Sequence, residues 1–303
     1  MSARRVPPMV LFARGSTSLA TSYVLASCAS VQVGSALAAR LMTSTGSEGA
    51  TALRLGLAAL ALLALTRPRV RGWTHAQWTA ALALGLCLAG MNGSFYLALA
   101  RIPLGAAVTL EFLGPLTLSA VMSTRRRDLG WVVWALGGVI LLGGLPSATG
   151  GGLDPVGVAL ALLAGVFWAL YILAASRVGA TTPGLGGLAV ATAAAAAVAL
   201  PFGLPGASVL LTHPELIGLA MGTALLASII PYSLELGAIR RLPPRTFGIL
   251  MSLEPAVAAV VGWALLGQGV AWPAAVGIAM VVSASAGATL SARPARTEAS
   301  AAA

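Results

Sequence analysis

The 303-residue chain is 58% hydrophobic and only 9% charged, whereas about a quarter of the residues in a soluble domain are charged. A mean hydropathy of +0.92 excludes a water-solvated globule. The net charge of +10 does not indicate nucleic-acid binding, because its 18 arginines fall mostly in short stretches between apolar runs. The chain contains no lysine, so it can form neither a Walker A loop nor a pyridoxal Schiff base. An ATP-driven activity would therefore need another subunit.

Ten apolar segments recur along the chain, separated by clusters of glycine, proline and arginine. A transmembrane helix needs about 20 predominantly apolar residues, which most of these segments approach or exceed. The pattern predicts an all-α integral membrane protein embedded in the lipid bilayer. In chain order, the predicted helices are 18–41, 49–66, 76–100, 103–122, 130–146, 155–176, 184–204, 214–239, 245–267 and 271–291.

The first segment contains Leu25-Ala26-Ser27-Cys28, which is similar to a lipoprotein cleavage box. The apolar pattern continues past Cys28 to Leu41, however, so cleavage would remove half of a helix. We therefore expect an uncleaved first helix. Cys28 and Cys87 both lie in apolar segments without metal-ligand spacing, and the sequence indicates neither a metal site nor a cofactor.

The placement of arginine fixes the predicted orientation. If the N-terminus lies in the cytoplasm and the ten segments alternate, 15 of the 18 arginines fall on the cytoplasmic side. The exceptions are Arg40 and Arg101 near the outer face and Arg54 within the second segment. Basic residues concentrate in cytoplasmic loops, and a miscounted helix would invert every later loop. The sequence thus predicts ten spans with both termini in the cytoplasm.

Segments four and nine share an unusual pattern, in which Arg-x-Pro is followed by two leucines and a second proline. Five helices separate the two copies, so they would enter the membrane from opposite sides, as in an inverted-topology repeat. The alternative is chance similarity between apolar helices built from few residue types. The residues in segment four are Arg101, Pro103, Leu110, Leu113 and Pro115, and each recurs 140 residues later in segment nine.

The repeat divides the predicted fold into two halves. A cytoplasmic tail at 1–17 precedes a first five-helix repeat at 18–146, and a second five-helix repeat at 155–291 precedes a cytoplasmic tail at 292–303. Gly150-Gly151-Gly152 would link the halves. The predicted architecture is therefore ten transmembrane helices arranged as two inverted five-helix repeats.

Two carboxylates are predicted near the middle of the bilayer. Glu111 lies eight residues into segment four, which is about 12 Å deep at 1.5 Å per residue. Glu254 reaches a similar depth in segment nine, and a proline, Pro115 or Pro255, follows each carboxylate closely. Ionisable residues at such depth are costly and usually functional, so this pair could hold a substrate ammonium group and exchange a proton. A structural carboxylate bonded to Arg54 or to free backbone is the alternative.

Other polar and aromatic side chains complete the candidate site. Asn92 and Gln32 could bond a substrate carboxylate or hydroxyl, or could only join helices. Arg54 could meet a substrate carboxylate, snorkel to the outer surface, or pair with Glu48 or Glu111. The aromatic residues that could line a cavity, with simple packing as the alternative, are Phe95, Tyr96, Trp168 and Tyr171.

Glu235 receives a different prediction, because it lies close to the cytoplasmic end of segment eight. Arg240 and Arg241 follow within reach of its carboxylate. We expect an interfacial ion pair there, and only a mild effect on function when Glu235 is replaced.

Longer motifs resemble the EamA-type drug/metabolite transporters and, within them, bacterial exporters of threonine and homoserine. The resemblance covers roughly residues 27 to 291. It implies ten helices, a bacterial inner-membrane location, and efflux of a small amino acid driven by protons. The motifs that carry it are Cys28–Arg40, Thr51–Leu55, Gly90–Asn92 with Phe95-Tyr96, Pro103–Pro115, Pro231–Glu235 and, most specifically, Arg241–Pro255.

Three alternatives to amino-acid export remain open from the sequence. The same fold could carry a drug or another metabolite. An intramembrane enzyme is disfavoured, because the chain has no His-Glu-x-x-His and no aspartate-rich motif, and His75 and His213 both lie near helix ends. A permease subunit with an ATPase partner is disfavoured by the short cytoplasmic loops.

Overall fold

The computed structural model describes residues 16–121, 126–143, 153–182, 184–239 and 250–291. Within these ranges the chain is helical apart from short connections and contains no β-strand, so the predicted all-α fold is confirmed. A 3-10 turn at Ser208–Leu211 follows α7, and a π-helical turn at Leu225–Ile229 joins α8 to α9. The helices are α1 Ser16–Thr66, α2 His75–Leu99, α3 Leu104–Glu111, α4 Leu113–Val121, α5 Arg126–Gly143, α6 Pro155–Thr181, α7 Gly186–Ala207, α8 Leu216–Ala224, α9 Ile230–Ile239, α10 Glu254–Leu266 and α11 Trp272–Ser291.

Several predicted features fall outside the described residues. These are most of the two predicted tails, the Gly150-Gly151-Gly152 linker and the arginines at 240, 241 and 245.

Four described helices are long and apolar enough to cross a membrane, namely Leu19–Thr66, His75–Leu99, Pro155–Thr181 and Gly186–Leu211. Shorter apolar helices accompany them, and large apolar side chains such as Leu60, Ile140 and Trp263 face outward. The chain is thus a multi-pass membrane protein whose outer surface suits lipid.

The first two predicted segments are not separated by a loop. α1 continues through residues 42–48, and only Gly46 leaves the helical conformation, with φ 69° and ψ 172°. A positive φ of this kind is accessible to glycine because it has no Cβ. The two predicted helices at 18–41 and 49–66 are both present, but they extend further than predicted and meet at a kink at Gly46.

Small residues allow the helices around this kink to approach closely. A Cβ at Gly203 or Gly206 of α7 would collide with the carbonyl oxygen of Glu48 or Thr45 in α1, and Gly49 faces Gly206. Close backbone contact through glycine and alanine is how helices associate in lipid, where no hydrophobic force draws them together. The part of α1 that follows the kink therefore packs along α7, while α2 packs along α6 and α5 along α11.

Capping residues fix several helix ends. Thr74 and Gln77 form a capping box that begins α2, and two such reciprocal bonds satisfy orphan N–H groups. Asp154 caps α6 by accepting from the backbone N–H of Val156, and Arg101 approaches its carboxylate at 3.3 Å. The Val156 N–H, with Arg101, lowers the pKa of Asp154. These contacts position α6 against the loop that precedes α3.

Three helices are interrupted inside the bundle. Phe112 separates α3 from α4, the π-helical turn separates α8 from α9, and a turn at Ser252 and Leu253 precedes α10. Such interruptions release backbone groups that need other partners. All three interruptions border the same internal space.

Candidate functional site

An internal cavity of about 510 Å³ lies where the three interrupted helices meet. It brings together eight of the nine side chains proposed from the sequence, which come from both halves of the chain. The ninth, Tyr96, is fully buried behind the wall and contacts Arg54. The cavity-lining residues among the predicted set are Gln32, Arg54, Asn92, Phe95, Glu111, Trp168, Tyr171 and Glu254.

Glu111 is placed at the cavity by the end of α3. Pro115 has no N–H, so the carbonyl of Glu111 four residues earlier lacks its usual helical donor, and the helix breaks at Phe112. Gly165 of α6 packs directly on this carbonyl, where a Cβ would come within 2.6 Å of the oxygen. Glu111 is therefore held at a break in the helix with its side chain largely buried.

Glu254 occupies a comparable place in the second half. It is the first residue of α10, Pro255 follows in the first helical turn, and its side chain is only 6% exposed. A carboxylate is favoured at a helix N-terminus by the helix dipole. Its Oε2 atom is buried and accepts no hydrogen bond within the described part of the chain. An acceptor in this state is suited to a cationic donor that arrives from the cavity.

Arg54 is fixed by the interruption between α8 and α9. Pro231 lacks the N–H that would reach the Ala227 carbonyl in an α-helix. In the π-helical turn, the Ile230 N–H donates to the carbonyl of Leu225 in place of Leu226. Arg54 Nη2 donates to the carbonyl of Ala227 at 2.6 Å, and Ser30 donates to the carbonyl of Leu226 at 2.8 Å. Two side chains of α1 thus satisfy the carbonyls that Pro231 and the π-helical turn leave without helical donors.

Further contacts hold the guanidinium of Arg54 in the cavity wall. Nε donates to Ser228 Oγ at 3.1 Å and Nη1 to Tyr96 Oη at 3.2 Å. The guanidinium carbon also lies 5.4 Å from the centre of the Tyr96 ring, within cation–π range. Arg54 is 5% exposed, so it does not snorkel to the surface. Its charge faces the cavity and attracts the Glu111 carboxylate.

The predicted position of Glu235 at an interface is wrong. Its side chain lines the cavity rather than an interface, and Ser27 Oγ donates to its Oε1 at 2.7 Å. The expected partners Arg240 and Arg241 lie outside the described residues. The sequence contains a feature that could have predicted the cavity position of Glu235. Pro231 precedes Glu235 by four residues, just as Pro115 follows Glu111 by four. In both cases a proline breaks the helix beside a carboxylate.

The amide side chains of Asn92 and Gln32 differ in whether their polar atoms have hydrogen-bond partners. Asn92 donates from Nδ2 to the carbonyl of Leu88 in its own helix at 2.8 Å. The buried Oε1 of Gln32 accepts no hydrogen bond from the described residues. Both residues line the cavity. Buried polar atoms usually have a partner, so the orphan oxygen of Gln32 marks a place for a ligand donor.

Aromatic rings shape the rest of the wall. The rings of Phe112 and Trp168 meet edge to face at 5.2 Å, and Tyr171 and Phe95 lie nearby in the same cavity. No group of three or more His, Cys, Asp or Glu residues in the described ranges could hold a metal ion. The cavity therefore offers fixed charges, amides and aromatic faces to an organic ligand.

A lipid-facing helical bundle around a charged internal cavity, with helices interrupted at that cavity, is the arrangement of a membrane transporter. Comparison with known proteins agrees, since residues 155–290 match the EamA-like transporter family. The chain is 41% identical over 271 residues to the threonine/homoserine exporter RhtA of Escherichia coli strain K12, covering 89% of this chain and 91% of that protein. The exporter RhtA of Salmonella typhimurium strain LT2 matches equally. The chain belongs to the EamA-like transporter family.

A solved structure supports the same fold. One crystal structure of a protein that is 22% identical superposes with a TM-score of 0.58, covering 90% of this chain and 97% of the other. The curated relatives are named as exporters and not as enzymes, so the chain is a transporter.

Proposed function

We propose that this protein exports small amino acids, with threonine and homoserine as the first candidates, across the bacterial inner membrane. The observation that carries the proposal is the joint presence of Arg54, Glu111 and Glu254 in one cavity. A zwitterion needs a cation for its carboxylate and an anion for its ammonium group, and this wall presents both. The named function of the relatives points to the same cargo.

The cavity also fits such a cargo in size. Its volume of about 510 Å³ lies within the range of about 300–1,000 Å³ that is usual for small-molecule sites. Gln32 and Asn92 are placed to bond the hydroxyl group that threonine and homoserine share. Trp168 and Tyr171 would enclose the carbon chain.

The architecture that we propose is ten spans with two inverted five-helix repeats at 18–146 and 155–291. The helix interruptions at Phe112 and Ser252 support it, because they are separated by the same 140 residues as the sequence repeat. Inverted halves can exchange roles and so give inward-open and outward-open states of similar energy. The arginine distribution supports cytoplasmic tails at 1–17 and 292–303.

Export would be coupled to proton entry if the proton and the substrate compete for one carboxylate. If Glu254 binds either a proton or the substrate ammonium group, the two cannot occupy it together. Entry of the proton then drives release and export of the amino acid, while Glu111 adjusts the balance by like-charge repulsion. The unpaired Oε2 of Glu254 supports this assignment.

Two measurements test the cargo. Overexpression is expected to lower intracellular threonine and homoserine and to raise tolerance to toxic external homoserine. Counterflow in proteoliposomes, without ATP, is expected to exchange both amino acids. Unchanged efflux of both, with the protein confirmed in the membrane, would refute the assignment in favour of a drug or another metabolite, which a wider substrate panel would identify.

A further inference from the structure

Three carboxyl groups, not two, line the cavity. Among the described residues, Glu111, Glu235 and Glu254 line the cavity, and Arg54 supplies the one guanidinium in the same lining. A zwitterionic amino acid adds no net charge, so its binding leaves the excess of negative charge in place. At least one carboxyl group besides the one that holds the ammonium therefore needs a proton if the cavity is to approach neutrality.

The hydrogen bonds around Glu235 allow this carboxyl group to carry a proton. Ser27 is fully buried, and its Oγ lies 2.7 Å from Glu235 Oε1 and 3.5 Å from the carbonyl oxygen of Pro231. When Glu235 is ionised, the Ser27 hydroxyl donates to the carboxylate. When Glu235 is protonated, the carboxyl O–H can donate to Ser27 Oγ, and the Ser27 hydrogen can turn to the Pro231 carbonyl. A hydroxyl is both donor and acceptor, so both protonation states are satisfied.

Glu254 differs at its buried Oε2 atom, which has no hydrogen-bond partner among the described residues and therefore no comparable relay. The surroundings of Glu235 and Glu254 thus favour different ligands, a proton at Glu235 and a cationic group at Glu254. Glu235 can gain and lose a proton without leaving a buried atom unpaired, whereas Glu254 is completed by a cationic donor. Among the described residues, the titratable and charged groups that line the same cavity as Glu235 or pack beside it are Tyr23, Cys28 and Arg54 on α1, Glu111 on α3 and Glu254 on α10.

We propose that Glu235, with Ser27 as its hydrogen-bonding relay, is a second proton site of the cavity and carries a coupling proton while the amine is held at Glu254. The inference rests on the proposed export function. In the step that it adds, the Glu235 carboxylate takes up one proton from water on the outer side and forms an O–H bond. The proton returns to water on the cytoplasmic side, and Ser27 is a positioning residue.

The test uses the full chain in proteoliposomes and labelled threonine. In Glu235→Gln, counterflow is expected to persist with a weaker pH dependence, because only the competition at Glu254 remains, and uphill efflux under a pH gradient is expected to fall by at least about tenfold. Ser27→Ala removes a charge-assisted hydrogen bond from the ionised form and a weaker neutral one from the protonated form, and so favours the protonated form. Its pH profile is expected to move to alkaline values by about one pH unit, because a hydrogen bond to a charged acceptor is about twice as strong as a neutral one.

Ser30→Ala is the matched control. It deletes the same atom from the same helix, but Ser30 bonds the backbone carbonyl of Leu226 and not a carboxylate. Its pH profile is expected to coincide with that of the parental protein. Parental uphill efflux and pH dependence in Glu235→Gln would overturn the proposal. If that variant fails to assemble, an unshifted profile in Ser27→Ala would overturn it.

A transport-independent readout separates this inference from the proposed function. An infrared pH titration of the purified protein is expected to show a carboxyl band that is absent from Glu235→Gln and displaced in Ser27→Ala. If the parental protein exchanges no threonine, the proposed cargo fails, and the infrared band still decides the proton site. Identical titrating bands in all variants would exclude Glu235.

Discussion

Arg54 donates a hydrogen bond of 2.6 Å to the carbonyl oxygen of Ala227, a residue that lies 173 positions further along the chain. The carbonyl is available because Pro231 cannot donate to it. A helix interruption in the second half of the chain therefore positions the guanidinium that the first half contributes to the cavity. The proposed substrate site and the packing of the first half of the chain against the second share this contact.

Replacement of Arg54 by lysine tests this role. Lysine keeps the positive charge, but its compact ammonium group cannot reproduce the fork that reaches Ser228, Tyr96 and Ala227. The threonine concentration for half-maximal counterflow is expected to rise by at least about tenfold, as for loss of one hydrogen bond to a charged group.

Arg40→Lys is the control for that variant. Arg40 also donates to a helix carbonyl, that of Leu265 at 2.7 Å, but it is exposed and lies outside the cavity. Its half-saturation concentration is expected to match that of the parental protein. An Arg54→Lys protein with parental affinity would show that the guanidinium is only structural.

Glu254→Gln is expected to abolish uphill, proton-driven efflux, with Glu111→Gln next in severity. Glutamine keeps the volume and the hydrogen-bonding groups but can neither release a proton nor attract an ammonium group. Efflux against a threonine gradient, measured at several pH values, checks the result. Exchange without a gradient that survives in one variant would show that its carboxylate handles the proton.

Glu215→Gln serves as the matched control for both carboxylates. Glu215 is exposed and bonds His213 at 2.9 Å far from the cavity lining, so efflux is expected to be unchanged. If the two cavity variants are well expressed and sustain parental, pH-dependent efflux, the carboxylates are structural and the coupling group lies elsewhere.

Reporter fusions after Arg127 and after Arg296 are both expected to report a cytoplasmic location. The reason is that the proposed ten-span topology places both positions on the arginine-rich side of the membrane. An activity assay with a paired cytoplasmic and periplasmic reporter measures this directly. A periplasmic signal at either position would overturn the helix count.

Gly114→Ala is expected to destabilise the protein by about 1–3 kcal/mol, the usual cost of overpacking. A Cβ at Gly114 would collide with the carbonyl oxygen of Gly165, where α4 crosses α6 beside Glu111. Thermal unfolding in detergent measures the loss. Gly93→Ala is the control, because a Cβ there meets no atom within 4 Å, and equal stability of the two variants would contradict the close crossing.

The sequence determined the helical, lipid-facing character of the protein through local patterns. Long apolar runs with few charges can satisfy their backbone in a bilayer only as helices, so α2, α6 and α7 could be located from residue order. Prolines beside Glu111 and Glu254 likewise marked the interruptions, because a missing N–H acts on a carbonyl only four residues away. The kink at Gly46 escaped this logic, since a glycine among small polar residues is also typical of a loop.

Tertiary structure alone decided which side chains meet. Ser27 and Glu235 are 208 positions apart, and no local pattern encodes that α1 brings its serine to the carboxylate of α9. Depth along a single helix placed Glu235 at an interface, but the packing of α1 against the interrupted α8–α9 region placed it in the cavity. Residue order fixes backbone hydrogen bonding over one or two helical turns, whereas the partner of a buried side chain depends on how distant helices pack.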